Sequence, residues 1–224
     1  MSELVIAIHR KELGNTDLGV IPFSFDDIDQ TAYALLPRDI VDSKQEHAGT
    51  ADAVGFAFPQ ILGYFQIMNE AGKYLAYQRK GKEAGLFGQW SIGIGGHVSQ
   101  EDLYDVKLHT DEDYPPLATL VYAGAIRELQ EELGIDPREF GALGSIDDFT
   151  YRANRIIQSY TNATSCRHVG IPLLLKLAQA GYKESSLNLD PAEFCNFKWM
   201  SVDELKANWN EFEDWSKWLI NAME

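Results

Sequence analysis

Three glutamates, Glu128, Glu131 and Glu132, stand beside Arg127 in one short stretch, Val121 to Ile135 (VYAGAIRELQEELGI). The stretch reads as one amphipathic helix. At about 100° per residue the three carboxylates share one face, and Tyr122, Ile126, Leu129 and Leu133 share another. Gly134 follows, a residue type favoured just past a helix C-terminus. Each like-charge pair at i,i+3 or i,i+4 costs an isolated helix roughly 0.2–0.5 kcal/mol. A hard cation between the carboxylates turns that repulsion into binding, because Mg²⁺ takes oxygen ligands. The plain alternative is a solvated helix face. Upstream, however, an apolar strand candidate, Trp90 to Ile94, runs into Gly95-Gly96-His97-Val98, and a glycine pair lets backbone approach a ligand or metal closely.

The string Arg127-Glu128-Leu129-Gln130-Glu131-Glu132-Leu133-Gly134-Ile135 resembles the second half of the Nudix box, R-E-U-x-E-E-x-G-U, at every specified position. Gly96 resembles the glycine that opens the box. From the Gln60 strand through Trp218 the chain is also similar to a set of Nudix proteins described only as predicted phosphoesterases. These share a strand running into SIGIGGH and a C-terminal Trp-Ser pair, here Trp215-Ser216. The resemblance implies roles residue by residue. Glu131 and Glu132 correspond to paired metal ligands, Glu132 the firmer of the two, and Glu128 to a carboxylate that binds metal or acts as base. Gly95 corresponds to a residue giving its carbonyl oxygen to the metal, and Arg127 to the arginine that orients the glutamates. The implied cofactor is Mg²⁺ or Mn²⁺.

One departure from the pattern stands out. Arg127 lies thirty-one residues after Gly96, so about seventeen residues are inserted relative to the family spacing. The first glutamate of the box falls on Asp102 or on Thr119, depending on where the insertion sits. That glutamate is mainly structural in the family. The insert, around residues 103–119, is rich in Asp and Tyr, ends in Pro115-Pro116, and reads as a surface loop that could border the substrate site.

Several residues outside the box are candidates. Arg79 resembles, by position, an arginine that touches substrate at the end of a strand, although Arg79, Lys80 and Lys82 also fit a solvated hairpin end. Tyr151 resembles a tyrosine of dinucleoside polyphosphate hydrolases. Glu193, in the loop Asp190-Pro191-Ala192-Glu193, is a candidate for a base supplied from outside the box. His97 and His168 read as structural.

A chain of 224 residues with 45% hydrophobic content can bury a real core. The net charge of −15 argues against broad nucleic-acid or anionic-membrane binding. It does not exclude a nucleotide, because a bound cation can dominate local electrostatics. Cys166 and Cys195 make no disulfide framework and read as buried apolar residues in a reducing compartment. No secretory leader or membrane-length apolar run is visible, so the expected location is the cytoplasm.

Along the chain, Leu4 to Ile8 reads as a strand, Asp26 to Leu36 as a helix ended by Pro37-Arg38, and residues 1–55 as an N-terminal extension packed on a main domain at 56–224. Gln60 to Met68 and Lys73 to Gln78 form a hairpin candidate. Phe140 to Phe149 and Val169 to Leu177 read as strands, with Tyr151 to Arg167 a polar connection between them. Ser201-Val202-Asp203-Glu204 has capping-box form, and Phe212, Trp215, Trp218, Leu219 and Ala222 stripe a final helix. The order of elements predicts an α+β fold with helices on both faces of a mixed sheet. The resemblance implies the same, a Nudix-type α/β/α sandwich.

These readings converge on a metal-dependent hydrolase of a diphosphate linking a nucleoside to another moiety, with a homodimer possible and no nucleic-acid or membrane partner. The competing reading is a Nudix-fold module that senses a nucleotide without cleaving it. A diphosphate-isoprenoid isomerase needs a cysteine before the box, and none stands between Phe87 and Val98.

Overall fold

Strand β1 (Leu4–Ile8) is apolar and mostly β-branched, and its residues from Val5 onward are buried. A computed structural model of the protein describes residues 3–14, 18–42, 57–80, 86–110, 113–140, 155–159 and 165–223. The chain divides into two units. The first comprises residues 1–63, 96–125 and 152–172, and the second residues 64–95, 126–151 and 173–224.

In the first unit β1 pairs antiparallel with β3 (Tyr33–Pro37), from Leu4↔Pro37 to Ile8↔Tyr33, and meets β4 (Gln60–Met68) at Ala7↔Gln60. The helix expected over Asp26 to Leu36 is therefore absent. Asp29 Oδ1 accepts from the Thr31 N–H at 2.9 Å and from its hydroxyl at 2.7 Å, a local turn that competes with helix. Tyr33 onward then gains more from the exposed edge of β1. Pro37 does not end a helix; it precedes a short one, α1 (Arg38–Val41), where a missing N–H is harmless.

A second antiparallel set in this unit joins β2 (Gly19–Pro22) to β8 (Arg155–Gln158), and β8 to β9 (His168–Lys176). β8 lies inside the stretch read as a polar connection. Its partner is distant in sequence, and Arg10 explains its polar end. The buried Arg10 guanidinium donates to Gln158 Oε1 and to the Cys166 carbonyl, each at 2.6 Å. His168 is buried, and its Nε2 lies 3.0 Å from Nε2 of His97, in keeping with structural roles for both.

The insertion is not simply a loop. Helix α2 (Gln100–His109) opens it, with Ser99 as N-cap. Asp102 Oδ2 accepts from the Ser99 N–H at 2.7 Å, and Ser99 Oγ accepts from the Glu101 N–H at 3.1 Å, so Asp102 completes a capping box. A Cβ on Gly124 would stand 3.1 Å from Asp102 Oδ2 and 3.3 Å from Val98, so Gly124 leaves room for this cap.

In the second unit β4 turns into β5 (Tyr74–Arg79) through Asn69-Glu70-Ala71-Gly72, Gly72 having φ +72°. Strand β10 (Phe194–Met200) pairs antiparallel with β5, as does β6 (Trp90–Ser91) at Tyr77↔Ser91 and Gln78↔Trp90. The strand expected over Trp90 to Ile94 breaks at Ile92, and β7 (Gly93–His97) begins beyond it. The long helix α3 (Leu117–Leu133) starts directly after Pro115-Pro116 and continues from the first unit into the second. Ser201 and Glu204 form the expected capping box of α4 (Val202–Ala207). In the final helix, α5 (Asp214–Asn221), Trp215 and Leu219 are buried, as is Phe212 just before it.

Cys166 is buried, but Cys195 is exposed on β10, where it pairs with nothing. Phe140 closes a short 3₁₀ turn (Pro137–Phe140) rather than opening a strand, and the rest of that expected strand lies outside the described residues. Among the described residues no helix is long and apolar enough to cross a membrane.

Because Ser99 and Asp102 are both buried, removing the carboxylate leaves donors without partners. Asp102→Ala is expected to lower unfolding free energy by about 1–2 kcal/mol in urea titration. An unchanged midpoint would exclude the capping role.

Candidate active site

The candidate site belongs to the second unit, and α3 supplies its carboxylates. Gly134, at φ +67°, ends the helix, and its N–H reaches the Gln130 carbonyl at 3.0 Å. The next orphan carbonyls are taken by a distant loop. Asn188 donates its N–H to the Leu133 carbonyl at 2.8 Å, and Asp190 donates its N–H to the Glu132 carbonyl at 3.0 Å. The same loop is bound at its other end to β5. The Lys80 N–H reaches the Glu193 carbonyl at 3.0 Å, and Lys80 Nζ reaches the Pro191 carbonyl at 2.7 Å.

That arrangement brings Glu132 within electrostatic range of Glu128, Asp190 and Glu193, and of the opposite charge of Arg79. Burial pushes the Glu132 carboxyl up to about 8, and the charges of Glu128, Glu193 and Asp190 add to the shift while Arg79 opposes it. Glu131 lies apart. Its side chain is 60% exposed, whereas that of Glu128 is 15% exposed. Arg127 Nη1 donates to Glu128 Oε1 at 2.7 Å and to Glu131 Oε2 at 3.2 Å, so it holds these two glutamates along the helix.

Arg79 extends from the end of β5, its Nη1 3.5 Å from the Tyr77 hydroxyl. Gly95 lies on β7, and Glu193 lies just before β10, as the loop reading expects. Tyr151 lies outside the described residues. Asp190 was not singled out in the sequence. Its N–H pairs with a helix fifty-eight positions away, and near it in the chain stands a local Asx turn, Ala192 N–H to Asp190 Oδ1 at 2.8 Å.

Among the described residues no three His, Cys, Asp or Glu side chains converge tightly enough to form a ready-made metal site. The chemistry of the donors nonetheless suits a hard cation. They are carboxylate oxygens, and the high proton affinity of Glu132 comes first from its burial and then from the like charges near it.

Residues 59–219 match the NUDIX domain family. No curated protein matches the chain. Among solved structures, the Nudix hydrolase candidate Tm1382 superposes with a TM-score of 0.65 at 20% identity, covering 99% of this chain and 100% of that one. DR0079 from Deinococcus radiodurans gives 0.49 at 11% identity over 91% of this chain and 98% of that one. A NUDIX hydrolase from Alicyclobacillus acidocaldarius gives 0.48 at 14% identity over 73% and 90%. The mixed sheet with helices is α+β, and on the family match over most of its length this chain belongs to the Nudix family.

Proposed function

We propose that this Nudix protein hydrolyses the diphosphate linkage of a nucleoside diphosphate joined to another moiety, using Mg²⁺ or Mn²⁺. The observation that carries the reading is a largely buried Glu132, on a helix that carries the family's glutamates, within reach of the like charges of Glu128, Glu193 and Asp190 and the opposite charge of Arg79. Ligand sensing alone gives no reason to gather so many like charges. Glu128, Glu131 and Glu132, with the Gly95 carbonyl, are the residues that would hold the metal. When bound, the metal supplies Lewis acidity and lowers the pKa of water.

The chain's own groups have separate tasks. Arg79 offsets phosphate charge at the edge of the acidic cluster. Arg127 keeps Glu128 and Glu131 aligned on the helix. Glu128 or Glu193 accepts the proton of the attacking water, since both stand near Glu132 on elements fixed by backbone hydrogen bonds. Tyr151 is proposed to face the substrate. Residues 1–55 are proposed to extend the hydrolase domain of 56–224, consistent with the family match beginning at 59 and with the pairing of β1 to β4.

The direct test is a panel of nucleoside diphosphate derivatives, dinucleotides and sugar nucleotides with Mg²⁺ or Mn²⁺. Products are identified by mass, and ¹⁸O-labelled water locates the attacked phosphorus. Glu132→Gln is expected to lower kcat by about two to four orders of magnitude in a variant that still folds. Full activity in that variant overturns the metal-site assignment. Tight nucleotide binding without any product favours the sensing module.

A second expectation concerns the chelated protein. Folded, Glu132 keeps its proton up to about 8, against an ordinary value of 4.5 once unfolded. Between those limits the native state binds more protons than the unfolded state, so this group makes stability fall as pH rises. Denaturation in EDTA across that window should show the decline. Glu132→Gln should flatten it, and Mg²⁺ should restore stability at its upper end. An equal slope in the variant would show that Glu132 is not the group responsible.

A further inference from the structure

We propose that Tyr77 is a positioning residue for Arg79, anchored by a buried hydrogen-bond network that begins at Glu213. This rests on the hydrolase reading above, because it assigns Arg79 to the diphosphate.

Glu213 is the buried N-cap of α5. Its Oε2 accepts from the Trp215 N–H at 2.8 Å, and its Oε1 accepts from the Ser216 N–H at 2.8 Å. A cap needs nothing more. Here Oε1 also accepts from the Tyr64 hydroxyl at 2.6 Å and from the Ser216 hydroxyl. Ser216 Oγ in turn accepts from the Ile92 N–H at 2.9 Å, and Ser91 Oγ lies 3.0 Å from the Tyr64 hydroxyl oxygen. The network therefore passes from the last helix to the residues between and flanking β6 and β7.

From there it reaches the candidate site. The Gly93 carbonyl accepts from Ser91 Oγ at 3.0 Å and from the Tyr77 hydroxyl at 2.8 Å. Once its proton is given to Gly93, the Tyr77 oxygen has lone pairs left, and Arg79 Nη1 lies 3.5 Å away. The Gly93 carbonyl can only accept, so the Tyr77 hydroxyl is the donor of that bond. Gly93 admits no side chain, because a Cβ there would stand 1.9 Å from the Tyr64 ring. The backbone that receives the Tyr77 proton thus lies directly on the ring of another member of the network. A helix cap alone does not account for a chain of contacts running through Tyr64, Ser91, Gly93 and Tyr77 to Arg79, the guanidinium whose charge acts on Glu132.

Tyr77→Phe deletes only the hydroxyl, and the Gly93 carbonyl keeps its bond from Ser91, so the variant should fold. The test is a double-mutant cycle with Arg79→Ala. It reads affinity for methylenediphosphonate in the presence of Mg²⁺ by calorimetry, and kcat and KM on the best substrate of the panel. Tyr77→Phe should weaken binding and raise KM about five- to tenfold with kcat nearly unchanged, and it should have no further effect once Arg79 is alanine. Affinity and KM equal to those of the wild type overturn the proposal, as does the same fold-loss in both backgrounds. If Tyr77→Phe does not fold, Ser216→Ala carries the same cycle from the other end of the network, with a smaller loss in the same direction. Binding of the probe by a wild type that hydrolyses no member of the substrate panel would sink the hydrolase reading while the cycle still decides this one. No binding of the probe by the wild type overturns both.

Discussion

A helix leaves its last carbonyls without internal partners, and in α3 two of those carbonyls organise the site. The donors come from Asn188 and Asp190, far along the chain, at 2.8 and 3.0 Å. Because the loop they belong to is also bound to Lys80, one segment sets the distance between the helix bearing the carboxylates and the strand bearing Arg79. Gly134 makes this possible. Its left-handed backbone ends the helix cleanly, and a side chain there would press on Cβ of Asn188, 3.1 Å from the ideal Cβ position.

With the backbone fixed, the electrostatics follow. The two arginines of the site are not equivalent. Arg127 lies along the helix and holds Glu128 and Glu131 in ordinary ion pairs, the second largely solvated and so worth little energy. Arg79 favours the charged form of Glu132, whereas burial first, and then the charges of Glu128, Glu193 and Asp190, favour the protonated one. The helix therefore carries one glutamate that is exposed and paired, one that is shared, and one that is buried in like charge. Of the three, Glu132 is the one whose proton affinity the fold raises most.

The parts legible in the sequence were those encoded locally. The Arg127 to Ile135 string, the glycine that ends the helix, the β4–β5 hairpin and the Ser201 capping box depend on neighbours a few residues apart. Misread elements depended on distant partners. The segment from Tyr33 became a strand because β1 offered an edge, and Arg155 to Gln158 became one because β2 did. The capping box of α2 was present in Ser99-Gln100-Glu101-Asp102, where the family pattern directed Asp102 to the first glutamate of the box and the residues after it to a surface loop. Asp190 and Glu213 belong to the same class as the distant strands. Each looks like a surface acid in a loop or at a helix start, and each acquires its role from groups over fifty positions away.

The overall charge bears on the chemistry as well. A chain of net charge −15 repels a diphosphate at long range, and screening at physiological ionic strength confines that repulsion to about 8 Å. Steering by the whole molecule therefore cannot bring such a substrate in; recognition would have to be won within the site. Arg79 is one charge against several, so its direction matters more than its presence. A guanidinium held at a fixed angle can meet a phosphate with two donors, whereas one free to swing is drawn into the neighbouring carboxylates. On the proposed reading, the Tyr77 hydroxyl, bonded to the Gly93 carbonyl at 2.8 Å and 3.5 Å from Arg79 Nη1, is the contact that would steady this arginine toward an anionic ligand in so acidic a setting.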